Sequence, residues 1–174
     1  VSIHLLNGFT CNSRLGNMKT GLLCLLIETD AGLVLVDTGP GLDDYAHPTG
    51  ITQLFRILTE MPFDSQQAAI HQVRRLGFQP EDVRHIILTH MHFDHCGGLP
   101  DFPGATVHVH RHEYEAFLKG PRNLFELAYI RRHIRSVRNW AFYEAGPEKW
   151  FDFDAVRLPF SPQVWLVPLF GHTR

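Results

Sequence analysis

Thr89-His90-Met91-His92-Phe93-Asp94-His95-Cys96-Gly97-Gly98 is the stretch on which the reading of this chain turns. Three histidines and one aspartate fall within six positions, directly after the apolar run Ile86-Ile87-Leu88. The chain holds twelve histidines, so a pair alone carries little; an H-x-H-x-D-H string closing a strand carries much more. Imidazole and carboxylate are nitrogen and oxygen donors that zinc accepts at neutral pH. In an extended loop, alternate side chains share a side, so His90 and His92 can reach one ion. A tetrahedral site that keeps one position for water needs a third protein ligand. His172 is the candidate, because it also follows an apolar run and sits beside a glycine. Asp94 and His95 are offset from the first pair and can serve a second ion. Two adjacent ions would yield a nucleophile from water near neutral pH and polarise a carbonyl or phosphoryl oxygen. Asp94 is also the candidate catalytic group, orienting that nucleophile and returning a proton to the leaving group.

The bulk properties fit a small globular unit around such a loop. At 174 residues the chain reads as a single domain, residues 1–174, with 44% hydrophobic residues. A chain of this length buries roughly 70% of its unfolded surface. The net charge of -2 does not point to nucleic acid or an acidic membrane. Cys11, Cys24 and Cys96 have no paired spacing, which suggests a reducing, cytoplasmic setting. The longest apolar run, Leu22 to Ile27, is too short to cross a bilayer.

Outward from the loop, the apolar runs 22–28 and 33–37 flank Thr29-Asp30-Ala31-Gly32 and read as an antiparallel hairpin. It ends in Asp37-Thr38-Gly39-Pro40-Gly41, where Asp37 is either a turn cap or a carboxylate that holds the histidine loop by hydrogen bonds. Residues 3–6 read as a short strand ended by an Asn7-Gly8 turn. Residues 51–58 read as a short helix. A second helix follows, with Asp64 and Gln67 as a capping box, Ala69, Ile70, Val73 and Leu76 on one face, and Gly77 as its stop. Residues 106–110 alternate as a half-buried strand, and 112–119 as a helix. Leu124, Leu127, Ile130, Ile134 and Val137 recur at helical spacing, which predicts a long helix over 124–140. With seven Lys/Arg against three Asp/Glu over 111–140, this region is either a solvated basic face or a wall that attracts an anionic substrate. Residues 150–153, 156–159 and 164–169 read as successive strands after a break at Gly146-Pro147. Helices alternating with strands after a hairpin give an α/β class.

Cys96 offers a third donor type or a nucleophile, but a small buried side chain beside Gly97-Gly98 is the simpler reading. His108 and His110 share a strand face without an evident carboxylate or cysteine partner, and His4, His47, His71, His85 and His133 stand in no constellation.

The chain resembles the metallo-beta-lactamase superfamily. The resemblance is carried by the hairpin ending in Asp37-Thr38-Gly39, the Pro80-Glu81-Asp82 lead-in, the Thr89 to His95 motif with Cys96-Gly97-Gly98, and Gly171-His172-Thr173. It implies a four-layer αβ/βα sandwich, with His90, His92 and His172 on a first metal and Asp94 and His95 on a second. It also implies two zinc ions, although iron or manganese suit related donor sets. Members continue past the G-H-T loop to a bridging aspartate and a final histidine. The expectation is therefore an N-terminal part of the fold, completed by a missing C-terminal segment or a complementing chain, with a homo-oligomer compatible. The residues 42–63 and 111–140 are most similar to the lactonase-like branch. The implied function is a metal-dependent hydrolase acting on a small-molecule ester, lactone or related acyl substrate, with nucleic acid and membrane not expected as partners. The alternatives are a thioester hydrolase of the glyoxalase II kind and a non-catalytic metal-binding relative with a degraded second site.

Overall fold

A computed structural model describes residues 1–13, 18–123, 125–144, 146 and 148–173. Strands β1 (Ile3–Ser13), β2 (Met18–Thr29), β3 (Gly32–Val36), β4 (Val83–Ile87), β5 (Thr106–His110) and β6 (Asn139–Tyr143) form one sheet in chain order. The first three pair antiparallel and the last three join in parallel. Parallel neighbours need crossovers, and helices supply them. Helices α1 (Leu42–Ala46), α2 (Gly50–Thr59) and α3 (Ala69–Arg75) lie between β3 and β4. The short α4 (Phe93–Cys96) lies between β4 and β5, and α5 (Arg111–Lys119) between β5 and β6. Strands β7 (Glu148–Trp150), β8 (Phe153–Arg157) and β9 (Trp165–Leu166) make a second, antiparallel sheet.

The period of two along the strands builds two cores from one sheet. Leu22, Cys24 and Leu26 of β2, Leu33 and Leu35 of β3, and Val107 and Val109 of β5 face the helices. Ile27, Val34 and Ile87 face Leu158 and Phe160 on the other side. Among the described residues, all five helices border the first core and no helical residue joins the second. Helices, central sheet and second sheet are thus three layers of the expected sandwich; a helix outside the second sheet is not seen among the described residues. On β1 and β2, Ile3, Leu5 and Leu23 remain largely exposed on the face that carries Leu25 and Ile27.

Several expectations need correction. Asn7-Gly8 is no turn: β1 continues through it with a shift of register, and Gln72 of α3 bonds both the N–H and the C=O of Asn7. The helix after Asp64 is split into a 3-10 turn, Ser65–Gln67, and α3. The Asp64 carboxylate accepts from Gln66 N, but Gln67 does not complete a capping box, and its buried Oε1 has no hydrogen-bond partner. Strand β5 is buried on both faces rather than one, with His108 at 3% exposure. The long helix over 124–140 does not form. Leu124 lies outside the described residues; beyond it stand 3-10 turns Phe125–Ala128 and Arg131–Ile134, then β6. The physical reason is that this segment is tied on several sides. Tyr129 donates to Glu113, Arg131 to the Leu118 carbonyl, and Arg132 and His133 both bond Asp44. One helical stripe cannot make all of those contacts. The aromatics of β6 then follow strand alternation, with Trp140 and Phe142 both packed on Tyr114.

His85 and His108 also stand in a constellation that spacing does not reveal. They meet across β4 and β5 on the face toward Phe160, with His85 Nδ1 3.0 Å from His108 Nε2 and His108 Nδ1 2.8 Å from the Tyr143 hydroxyl. Burial pushes the His108 pKa down to about 4, and His85 is lowered by the same cause. The folded state therefore holds His108 neutral, while the unfolded chain takes up a proton below about 6.5. Stability from this residue is complete above about pH 6.5 and is lost as pH falls from there toward about 4. We expect this histidine to cost stability on the order of 1 kcal/mol per pH unit well inside that window. Urea midpoints of wild type and His108→Gln, compared between pH 7.5 and pH 5, check this: the wild type should lose more stability, and parallel losses would contradict it.

Candidate metal centre

The loop after β4 has no strand partner for residues 89–92, so its backbone groups must find other acceptors. Asp37, at the end of β3, supplies the first. It is 3% exposed, and its backbone adopts φ 55°, a left-handed conformation that an aspartate tolerates better than most residues. Its Oδ1 accepts from Thr89 N at 2.9 Å, and its Oδ2 accepts from the Thr89 hydroxyl at 2.7 Å and from His95 Nδ1 at 2.8 Å. Of the two readings of Asp37, the structure supports the one in which it holds the histidine loop.

The next residues fasten the loop from behind. Thr38 N donates to the His95 carbonyl, and Gly98 N donates to the Gly39 carbonyl. The approach is so close that a Cβ on Gly97 would stand 2.3 Å from Asp44 Oδ2 and 2.5 Å from the Phe93 carbonyl oxygen. Asp44 is itself buried. Burial opposes its ionisation, yet the hydrogen bonds and charges of His133 and Arg132 keep its pKa below the usual carboxylate value. His133 belongs to this support, although nothing in its sequence neighbourhood marks it.

These contacts set the histidine tautomers. The Thr89 hydroxyl gives its proton to Asp37, so its oxygen accepts from His90 Nδ1 at 3.1 Å. His90 Nε2 is then an unprotonated nitrogen, buried and without a hydrogen-bond partner. His92 Nε2 is buried and unpartnered in the same way. Leaving two ring nitrogens unsatisfied is costly unless something else takes their lone pairs. His90, His92 and His172 each bring a ligand atom within 4.8 Å of the others'. The rings of His90 and His172 stand 4.7 Å apart and perpendicular, and those of His92 and His172 5.1 Å apart. Neutral, converging imidazoles with orphaned nitrogens are what a divalent cation requires, so the residues present fit a metal.

Electrostatics agree with the geometry. Burial lowers the His90 pKa to about 2, reinforced by His95, His92 and His172. Burial, helped by His172 and His95, lowers that of His92 to about 4. Both rings are therefore neutral at physiological pH and ready to bind a cation.

The other two expected ligands lie alongside. The His95 ring is 3.9 Å from that of His90, and its Nε2 is 3.7 Å from Asp94 Oδ2. Burial disfavours charge on His95, but the hydrogen bond and charge of Asp37, with Asp94, outweigh it and raise its pKa. Burial raises the pKa of Asp94. Cys96 is buried at 0% exposure, with its Sγ 3.3 Å from the Met91 carbonyl oxygen. Burial lifts its thiol well above the ordinary value, so it is neither a thiolate nucleophile nor a thiolate metal ligand at neutral pH.

His90 and His172 line a cavity of about 520 Å³ whose other walls include Leu25, Ile27, Ile87 and Leu166. That volume suits a small organic ligand. Among the described residues, no arginine of 131–138 lines it, so the anion-attracting wall is not supported. Removing the Asp37 carboxylate frees Thr89 and His95 together and releases the His90 tautomer. Asp37→Ala should therefore weaken metal binding by roughly 10- to 100-fold, measured by competition with a chromophoric chelator. An unchanged dissociation constant would contradict the assignment.

A sequence profile of the metallo-beta-lactamase superfamily matches residues 21–174. The chain is 40% identical to a probable metallo-hydrolase of Mycobacterium tuberculosis, the match covering 100% of this chain and 56% of that protein. It is 30% identical to an N-acyl homoserine lactonase of Agrobacterium fabrum over 73% of this chain and 48% of that protein. The chain thus spans about half the length of these curated relatives. The crystal structure of a quorum-quenching N-acyl homoserine lactone lactonase superposes with a TM-score of 0.63 at 26% identity, covering 95% of this chain and 67% of that one. The motif, its geometry and these likenesses agree: the chain belongs to the metallo-beta-lactamase superfamily.

Proposed function

We propose that this chain carries the metal centre of a hydrolase for a small ester, lactone or related acyl substrate, with zinc as the metal. The observation that carries the reading is the convergence of His90, His92 and His172, two of them with buried, unpartnered nitrogens, beside an apolar cavity. The likeness to N-acyl homoserine lactonases supports the lactone class. In this reading the three histidines hold one ion and Asp94 and His95 contribute to a second. Such ions supply a nucleophile drawn from water at neutral pH and polarise the scissile carbonyl.

The remaining work falls to side chains. Asp37 keeps His95 Nδ1 protonated and turned away, so that His95 Nε2 is presented beside Asp94. Asp94, beside the scissile bond, would take the proton released by the attacking water and return it to the leaving oxygen. Leu25, Ile27 and Ile87 receive the hydrocarbon part of the substrate and exclude water from the scissile bond. The exposed apolar face at Ile3, Leu5 and Leu23 supports further polypeptide packing there, from the same protein or a partner chain.

The test is hydrolysis of a panel of γ-lactones, aryl esters and thioesters by the zinc-loaded full-length protein and its His92→Ala variant. Lactone hydrolysis that falls by roughly 100-fold or more in a variant of unchanged circular dichroism supports the reading. Equal rates in the two proteins, or turnover of thioesters alone, would sink it.

A further inference from the structure

Asp37 accounts for only one end of the histidine loop. Met91, the residue between the first two histidines, is buried at 0% exposure and lies outside any strand. Its backbone N–H donates to Glu113 Oε1 at 2.8 Å. Glu113 lies in the first turn of α5, 22 residues further along, and is 5% exposed. Its carboxylate also accepts from the Tyr129 hydroxyl, at 3.1 Å to Oε1 and 3.3 Å to Oε2. Tyr129 in turn sets its ring 5.2 Å from that of His92, and is 7% exposed. The Met91 carbonyl is met by Cys96 Sγ. Both peptide groups of the residue between the two ligands are therefore fixed by side chains, and one of them, Glu113, also holds the tyrosine whose ring lies against His92.

We infer that Glu113 is a positioning residue for the metal centre: through Met91 N–H and the Tyr129 hydroxyl it fixes the spacing and ring orientation of His90 and His92. Three physical points carry this. A carboxylate at this depth is costly unless it is well hydrogen-bonded, and the donors it has are a loop peptide and the phenol that contacts a ligand ring. The loop peptide has no ladder partner, so losing its acceptor leaves a buried N–H unsatisfied beside the ligands. Small rotations of the 90–92 backbone move both imidazoles together, because they project from the same side of it. Asp37 and Glu113 thus grip alternate peptides, Thr89 and Met91, from two different strand-to-helix junctions.

This inference rests on the histidine cluster being a metal centre, and the experiment separates the two. The full-length protein, Glu113→Ala, Glu113→Gln and Tyr129→Phe are titrated with zinc in competition with a chelator. Their cobalt-loaded forms are compared by visible absorption, and their metal-free forms by thermal melting. Glu113→Ala should raise the zinc dissociation constant roughly 10- to 100-fold and change the cobalt bands. Glu113→Gln keeps an acceptor for Met91 N–H and should return within about threefold of wild type, given the modest net worth of one altered hydrogen bond. Should Glu113→Ala fail to fold, Tyr129→Phe decides: an altered cobalt spectrum with weaker zinc binding supports the inference, and an unchanged pair overturns it. A Glu113→Ala protein with lower melting temperature but wild-type zinc affinity and cobalt bands overturns it, as does Glu113→Gln binding as poorly as Glu113→Ala. Wild type that takes up no metal would overturn the metal reading itself.

Discussion

The Asp37 carboxylate is the contact on which the rest of the site depends. A loop that leaves a parallel strand loses its ladder partners, and its exposed peptide groups must be paired before it can hold one shape. Asp37 pairs the first of them, accepts the Thr89 hydroxyl proton and takes the His95 Nδ1 proton. Each bond has a consequence one atom further on. Thr89, having donated, accepts from His90, and the His90 lone pair is turned inward. His95, having donated, presents its other nitrogen beside Asp94. One buried carboxylate on one strand end therefore settles the protonation of two prospective ligands.

The fold makes that contact available by simple means. The parallel pairing of β3 and β4 brings two strand ends to the same edge of the sheet, so Asp37 and Thr89 meet although 52 residues separate them. Glycine makes the rest of the approach feasible. A side chain at Gly97 would strike Asp44, and one at Gly41 would come within 2.3 Å of the Gly97 carbonyl oxygen. Asp44, Arg132 and His133 then lock a segment from the far end of the chain onto the back of the loop. The neutral imidazoles of His90 and His92 in front and the Arg132–Asp44 ion pair behind give the site its polarity.

Much of this was legible in the residues, for identifiable reasons. Strands β2 to β5 and α3 carry strong local patterns, and the order hairpin, helix, strand leaves few arrangements. The H-x-H-x-D-H string and Gly171-His172 marked the candidate donors because side-chain chemistry and alternation are local properties. The 124–140 segment misled because its apolar spacing is helical, while its shape is decided by ties from Tyr129, Arg132 and His133 to residues far away in sequence. Glu113 and the His85–His108–Tyr143 chain were invisible for the same reason. Their partners lie across strands, and nothing in a run such as His-Arg-His-Glu tells which backbone amide needs an acceptor.

The central claim is that His90, His92 and His172 jointly hold a metal. Anomalous diffraction at the zinc absorption edge, from crystals of the full-length protein grown with zinc, tests it most directly. The expected result is a peak within about 2.0–2.1 Å of one ring nitrogen of each of the three histidines. A peak at other side chains, or none under conditions of saturating zinc, would contradict it.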